Sequence, residues 1–232
     1  LVREGRLAIV SDWLTVPGGA EETLRHVLAD LPAPIHVAQY NPARFPWLAR
    51  AGVRPHWISR APLSKTRHYL YAPALADVYR SFRLREYDAV VTLNHTFAHH
   101  ARPREGALHF VYYHSLARAL WLPEIDGRAG KGPLRTAIVR RLRRLDLASA
   151  QRPDVLIANS RTTAARLKKF YGREVDAVIY PPVELERWLA IPRRSDRLGY
   201  AVWGRHIPYK RFDLAIEAAR LGGFPLQIVG AG

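Results

Sequence analysis

The residues of this sequence that could do chemistry fall in two turns, one histidine at a strand end and one histidine cluster. The first turn is in "AVWGRHIPYKRFDLAIEA", where a short apolar strand ends at Gly204-Arg205 and the chain passes Pro208 before Lys210-Arg211. An amphipathic helix is expected over residues 209–221, which places Lys210 in its first turn. A cation there opposes the helix dipole unless an anion compensates it. Helix starts at the carboxyl ends of strands are also where α/β sheets collect phosphates. From the residues alone, an anion-binding turn and a solvated basic corner both stand.

The second turn is in "DWLTVPGGAEETL", with Gly18-Gly19 between a strand and a helix. Glycines there let a backbone approach a ligand closely, and the helix start can receive a phosphate. The spacing is not G-x-G-x-x-G, so the dinucleotide fingerprint is absent, and taken alone the pair reads first as a tight turn. His114, in "FVYYHSLARALW", ends a buried strand. There it can exchange a proton near neutral pH or bond a sugar hydroxyl, or it can be a core histidine bonded to backbone. His95, His99 and His100 in "NHTFAHHARP" invite a metal. No acidic residue adjoins them and Pro103 limits any helix, so a satisfied loop or a pocket rim is the expectation and no metal ligand is assigned.

These residues need a frame. "RLAIVSDW", "PIHVAQY", "YDAVVTLN", "LHFVYYHS", "DVLIANS" and "DAVIYPPV" read as strands. "EETLRHVLADL", "LYAPALADVYRSFRL", residues 134–149 and "RTTAARLKKFYG" read as helices. The alternation predicts an α/β fold, a Rossmann-like parallel sheet with helices on both faces. In residues 134–149, Ile138, Leu142, Leu145 and Ser149 share one face, with Arg140, Arg143 and Arg144 away from it. An arginine face of this kind is either plain surface or a contact for anionic lipid. After Pro181-Pro182, "ELERWLAIPRRSDRL" has the charge and proline content of a connector. The expected organisation is therefore a first domain over 1–182, a connector over 183–198, and over 199–232 the first βαβ part of a second, truncated domain.

The chain has 232 residues, 48% hydrophobic and 24% charged, enough for a buried core. No apolar run approaches the ~20 residues of a membrane span, and no signal-peptide layout opens the chain, so a cytoplasmic protein is expected. With no cysteine, disulfides, thiolate metal sites and a Cys nucleophile are excluded. With no methionine, the chain is expected to be a segment of a longer protein. Lys and Arg outnumber Asp and Glu by 36 to 20, a net +16 that recruits phosphates, nucleic acid or anionic headgroups.

In order along the chain, "DWLTVPGGAEETL", "YDAVVTLNHTFAHH", "YYHSLARALW", "IANSRTTAARLKKFYGREVDAVIYPPVELERW" and "GRHIPYKRFDLAIEA" resemble the family 4 glycosyltransferases, and especially their mannosyltransferase-like branch. The resemblance implies a two-domain GT-B fold. The reaction it implies is retaining transfer from a nucleoside-diphosphate sugar, with GDP-mannose preferred, to a lipid-linked or polysaccharide acceptor, without a cofactor or bound metal. Arg205 and Lys210 match the residues that bind the donor diphosphate, beside Gly204. Gly18 and Gly19 match the loop bordering donor phosphates and acceptor. His114 matches the family histidine near the transferred sugar, and "IYPPVE" matches the domain junction.

The chain departs from the family pattern at Leu116, Ala117, Ala119 and Leu122, on the acceptor side, and at Ala231, where the family carries an acidic residue. The family's paired glutamates are not in the sequence, so these residues alone are expected to be inactive. The basic surface suggests a peripheral contact with an anionic membrane at its inner face. The rival readings are a GT-B sugar-nucleotide epimerase or hydrolase and a non-catalytic anion- or nucleic-acid-binding domain. Nucleic acid is disfavoured because no aromatic stacking platform accompanies the basic residues.

Overall fold

The computed structural model describes residues 6–126, 132–192 and 198–230. Ala231 and residues 193–197 of the expected connector lie outside them. The strands are β1 (Leu7–Ser11), β2 (Ile35–Val37), β3 (Val53–Pro55), β4 (Ala89–Asn94), β5 (Leu108–Tyr113), β6 (Val155–Ala158), β7 (Ala177–Val178), β8 (Tyr200–Trp203) and β9 (Leu226–Val229). The helices are α1 (Gly19–Asp30), α2 (Ala72–Arg80), α3 (Arg118–Trp121), α4 (Pro123–Asp126), α5 (Pro133–Ala150), α6 (Arg161–Tyr171), α7 (Leu185–Leu189) and α8 (Phe212–Gly222). Two compact units result: residues 1–121 with 130–182, and residues 122–129 with 183–232.

The first unit is built on a seven-stranded sheet ordered β3-β2-β1-β4-β5-β6-β7, and every pair is parallel. A parallel sheet must be covered on both faces, because helical crossovers return each strand in the same direction. Alternation along β1 shows how. Ala8 and Val10 pack with Val90 against Leu75 and Tyr79 of α2 and Leu142 of α5. Ile9, between them, faces the other way with Ile35, Val37 and Leu24 of α1. A third cluster joins Val111, Tyr113 and Leu156 to Leu167 and Tyr171 of α6. The Rossmann-like α/β fold expected from the sequence is the fold observed.

Local chemistry sets the helix ends. Ser160 caps α6 by accepting the Thr163 amide at 3.2 Å, and Gly172 closes the helix in the left-handed region at φ 68°. Three features depart from expectation. β3 was not anticipated, since "VRP" is short, half-exposed and carries a proline at the sheet edge. α7 forms inside the stretch read as connector. On α5, Ile138, Leu142 and Leu145 do face the core, but Arg143 leaves the open face: its Nε donates to the Leu120 carbonyl at 2.7 Å and its guanidinium lies over Trp121. Arg141 pairs with Asp77 at 2.8 Å. Only Arg140 and Arg144 of the named arginines remain outward.

In the second unit β8 and β9 pair in parallel beside α8. The helix begins later than expected. Lys210 lies in a 3-10 turn (Pro208–Lys210), Arg211 is the residue before α8 at φ 53°, and the first turn of α8 is acidic, with Asp213. Arg211 spends its charge there, with Nη2 at 2.8 Å from the Asp213 carboxylate.

Several buried histidines of the first unit are held neutral. Burial lowers His36 to about 4, with Arg54 adding to it. The Tyr87 hydroxyl accepts from Arg54 at 2.8 Å and lies 3.1 Å from His36 Nε2. Burial likewise lowers His100 and His114 to about 4 and His109 to about 3. Each folded value lies below the ordinary 6.5, so the unfolded chain takes up the proton first. The stability involved is whole above that value and is lost as pH falls toward the folded ones. Acidifying from about pH 7 to about pH 5 should therefore cost on the order of 2 kcal/mol in total for each such histidine. Urea unfolding at the two pH values checks this; equal stability at both contradicts it.

Candidate functional site

Strand order reverses direction between β1 and β4, and ligands of open α/β sheets bind at the carboxyl ends of the strands at such a switch point. Asp12 stands there, directly after β1 and wholly buried. Its Oδ2 accepts the amides of His95 at 2.6 Å and Thr96 at 2.7 Å, and its Oδ1 those of Phe97 at 3.0 Å and Ala98 at 3.1 Å. These amides open the turn that follows β4, where no intrahelical acceptor exists for them. One carboxylate thus acts as a cap supplied from a neighbouring strand. Asn94 ties the same turn to β5: its Oδ1 accepts the His99 amide at 3.1 Å, and its Nδ2 donates to the Ser115 carbonyl at 3.2 Å.

His114 is positioned by this scaffold. Its amide donates to the Asn94 carbonyl at 2.8 Å and its ring meets Tyr112 edge-on at 4.9 Å. Its Nε2 is buried with no hydrogen-bond partner among the described residues. Burial lowers its pKa, nearby His95 adds to this and Asp12 opposes it, so the ring is neutral at physiological pH. An unpaired buried ring nitrogen costs free energy until a partner arrives, and a ligand hydroxyl is such a partner. Against His95, Trp13 lies at 4.8 Å; its other neighbour is His68 at 4.7 Å, and Thr15 Oγ1 meets His68 Nδ1 at 2.9 Å. Aromatic edges and a few placed polar groups suit a sugar, whose ring offers C–H faces and hydroxyls.

Gly18 and Gly19 lie at the same carboxyl edge, at the start of α1. Gly18 is fully extended, and a Cβ on it would press to 3.1 Å from Glu21 Oε2, whereas a Cβ on Gly19 would meet open space. The acidic first turn, Glu21 and Glu22, already answers the helix dipole there. His95 forms part of the rim, its Nδ1 at 3.0 Å from Thr96 Oγ1.

His99 and His100 belong to a separate buried cluster with Asp146. The Asp146 carboxylate accepts from His100 Nε2 at 3.0 Å, Trp121 Nε1 at 2.6 Å and the Tyr171 hydroxyl at 2.6 Å, with His99 Nε2 at 3.2 Å. Burial alone would raise this carboxyl; the two histidines overturn that and hold it well below the usual carboxylate range. Both oxygens are in use as hydrogen-bond acceptors, so the cluster's donor set serves to lock α5 to α3, α6 and the turn after β4.

In the second unit, Gly204, Arg205 and Lys210 gather at the carboxyl end of β8. Gly204 sits at φ 143°, and its carbonyl approaches Gly230 so closely that a Cβ on Gly230 could not be accommodated. Arg205 and Lys210 are exposed and, unlike Arg211, have no carboxylate partner among the described residues. Two unneutralised cations beside a glycine turn form an arrangement that can receive an anion.

The sequence model of Glycosyltransferase Family 4 matches residues 17–187, well over half of the chain. The chain belongs to glycosyltransferase family 4. No curated protein matches this family member over its sequence. Among solved structures, the wall teichoic acid polymerase TagF is similar at a TM-score of 0.47 and 13% identity, over 97% of this chain and 56% of that one. The family 4 chain thus spans about half the length of that protein. Of the residues singled out in the sequence, His114, Gly18 and Gly19 share one edge of the first sheet, and Gly204, Arg205 and Lys210 share one end of the second. Asp12, Trp13, Thr15 and His68 were not singled out. Asp12 carried a signal all the same, as an acidic residue placed directly after a buried strand.

Asp12→Ala should lower the unfolding free energy by at least about 3 kcal/mol, since four amides lose their acceptor. Asp12→Asn, which keeps one oxygen, should lose less. Urea unfolding of both variants checks the order.

Proposed function

We propose that this chain is the acceptor-side domain and the start of the donor-side domain of a GT-B enzyme. It would transfer a hexosyl group, with retention, from a nucleoside-diphosphate sugar to a lipid-linked or polysaccharide acceptor. The single observation that carries the reading is the neutral, buried and unpartnered Nε2 of His114 at the switch point of the sheet. It is a place for a sugar hydroxyl. Family membership supports hexosyl transfer; retention and a GDP-mannose donor rest on the resemblance of the motifs alone.

In the transfer, the bond between the anomeric carbon and the diphosphate oxygen breaks, a bond to an acceptor oxygen forms, and the acceptor proton is released. The diphosphate departs with added negative charge. Fixed cations lower that barrier because they are oriented before the charge develops. Arg205 and Lys210 are the cations left free for it, and in this reading they fill the role without a bound metal or cofactor. Gly204 keeps the turn's backbone open to the phosphates. At the acceptor edge, Gly18 and Gly19 admit a close approach, and the adjacent Glu21 favours a neutral hydroxyl there over a second phosphate.

Arg205→Ala or Lys210→Ala in the full-length protein that carries these residues should cut kcat by ~10²–10³-fold. Because both side chains are exposed, the thermal midpoint should not move. Transfer of labelled mannose from GDP-mannose, beside thermal unfolding, checks both halves; near-normal turnover in either variant removes the leaving-group role.

A further inference from the structure

Between Asp30 and Asp77 the sequence contains no acidic residue. Within that interval, residues 57–70 hold four large apolar side chains in solvent: Trp57 at 71% exposure, Leu63 at 54%, Tyr69 at 52% and Leu70 at 53%. Arg60, Lys65 and Arg67 are exposed among them, and none has a carboxylate partner among the described residues. These side chains stand on a segment held by hydrogen bonds. Buried Gln39 donates to Ser64 Oγ at 3.1 Å, and the Tyr71 hydroxyl donates to the Pro62 carbonyl at 2.6 Å, closing the loop. Ser64 is wholly buried while its neighbours Leu63 and Lys65 stay out. Leu63 also holds φ 58°, a left-handed conformation that costs a leucine roughly 1–2 kcal/mol.

We infer that the closed loop over residues 57–70 is a docking element for a membrane surface bearing anionic lipid. Exposed aliphatic and aromatic groups enter the headgroup boundary while cations meet its negative potential, and the two terms add. Trp57 and Tyr69 would serve stacked bases as well as a headgroup boundary, but the aliphatic Leu63 and Leu70 offer bases nothing to stack on and favour the lipid. The exposed arginines of α5 make a poorer surface, because Arg141 is paired with Asp77 and Arg143 is turned onto Leu120. Among the described residues no helix is long and apolar enough to cross a membrane, so the contact would be peripheral. His68 connects the loop to the candidate sugar site through Thr15 and Trp13. A lipid-linked acceptor would therefore be met at the sheet edge that carries Trp13 and Thr15.

Flotation of the full chain with vesicles of phosphatidylcholine alone, or mixed with phosphatidylglycerol, tests this without any substrate. The protein should float with the mixed vesicles and not with phosphatidylcholine alone. Lys65→Glu combined with Arg67→Glu should weaken partitioning at least ~10-fold. Trp57→Ser combined with Leu70→Ser should weaken it as well, with unchanged thermal midpoints, whereas Arg140→Glu combined with Arg144→Glu should leave it nearly intact. No flotation with mixed vesicles overturns the inference. So does loss of flotation through the α5 pair but not the loop pairs. Because vesicle binding is read apart from transfer, failure here leaves the transferase reading standing, and the reverse also holds.

Discussion

The Asp12 carboxylate is the constraint on which the first unit's site depends. Removing a carboxylate from water costs several kcal/mol, and only dense hydrogen bonding offsets it. Here four consecutive amides, from His95 to Ala98, supply that compensation. The exchange binds the exit of β4 to the exit of β1 more tightly than strand pairing alone could. Everything beyond inherits that position: Asn94 holds Ser115, the Asn94 carbonyl holds the His114 amide, and the His114 ring is left with one nitrogen unanswered.

The two units contribute different chemistry. At the edge of the seven-stranded sheet the groups are neutral or hydrogen-bonding, namely His114, Thr15, His68 and the indole of Trp13. At the end of β8 they are cationic and stand on strained or glycine backbone, with Arg211 at φ 53° and Gly204 at φ 143°. Arg211 shows how the charge is sorted. It is neutralised by Asp213, while Lys210, one residue earlier, is not. The acid-free interval from Asp30 to Asp77 adds a third kind of surface, where exposed apolar groups and cations occur together.

Much of this was legible in the sequence. Apolar runs such as "LAIVS" and "LHFVYY" announced buried strands, because parallel strands are apolar on both faces. The helical spacing of Leu24, Val27 and Leu28 announced α1. What stayed hidden depends on contacts between distant residues. Asp12 looks like any acidic residue after a strand until four amides more than eighty positions away are brought to it. His99 and His100 looked like loop residues because Asp146, their partner, lies on another helix. β3 was lost because a proline and an arginine in a three-residue edge strand give no periodicity to read. Arg143 was assigned to the open face by helical spacing alone, which cannot foresee a long side chain folding back to a carbonyl.

The central claim is that the His114 nitrogen at the switch point receives a sugar hydroxyl. A crystal structure of the full chain with an intact nucleoside-diphosphate sugar tests it most directly. The account predicts a hexose hydroxyl within hydrogen-bond distance of His114 Nε2. A bound donor whose sugar lies away from His114, with that nitrogen still unpartnered, would contradict it.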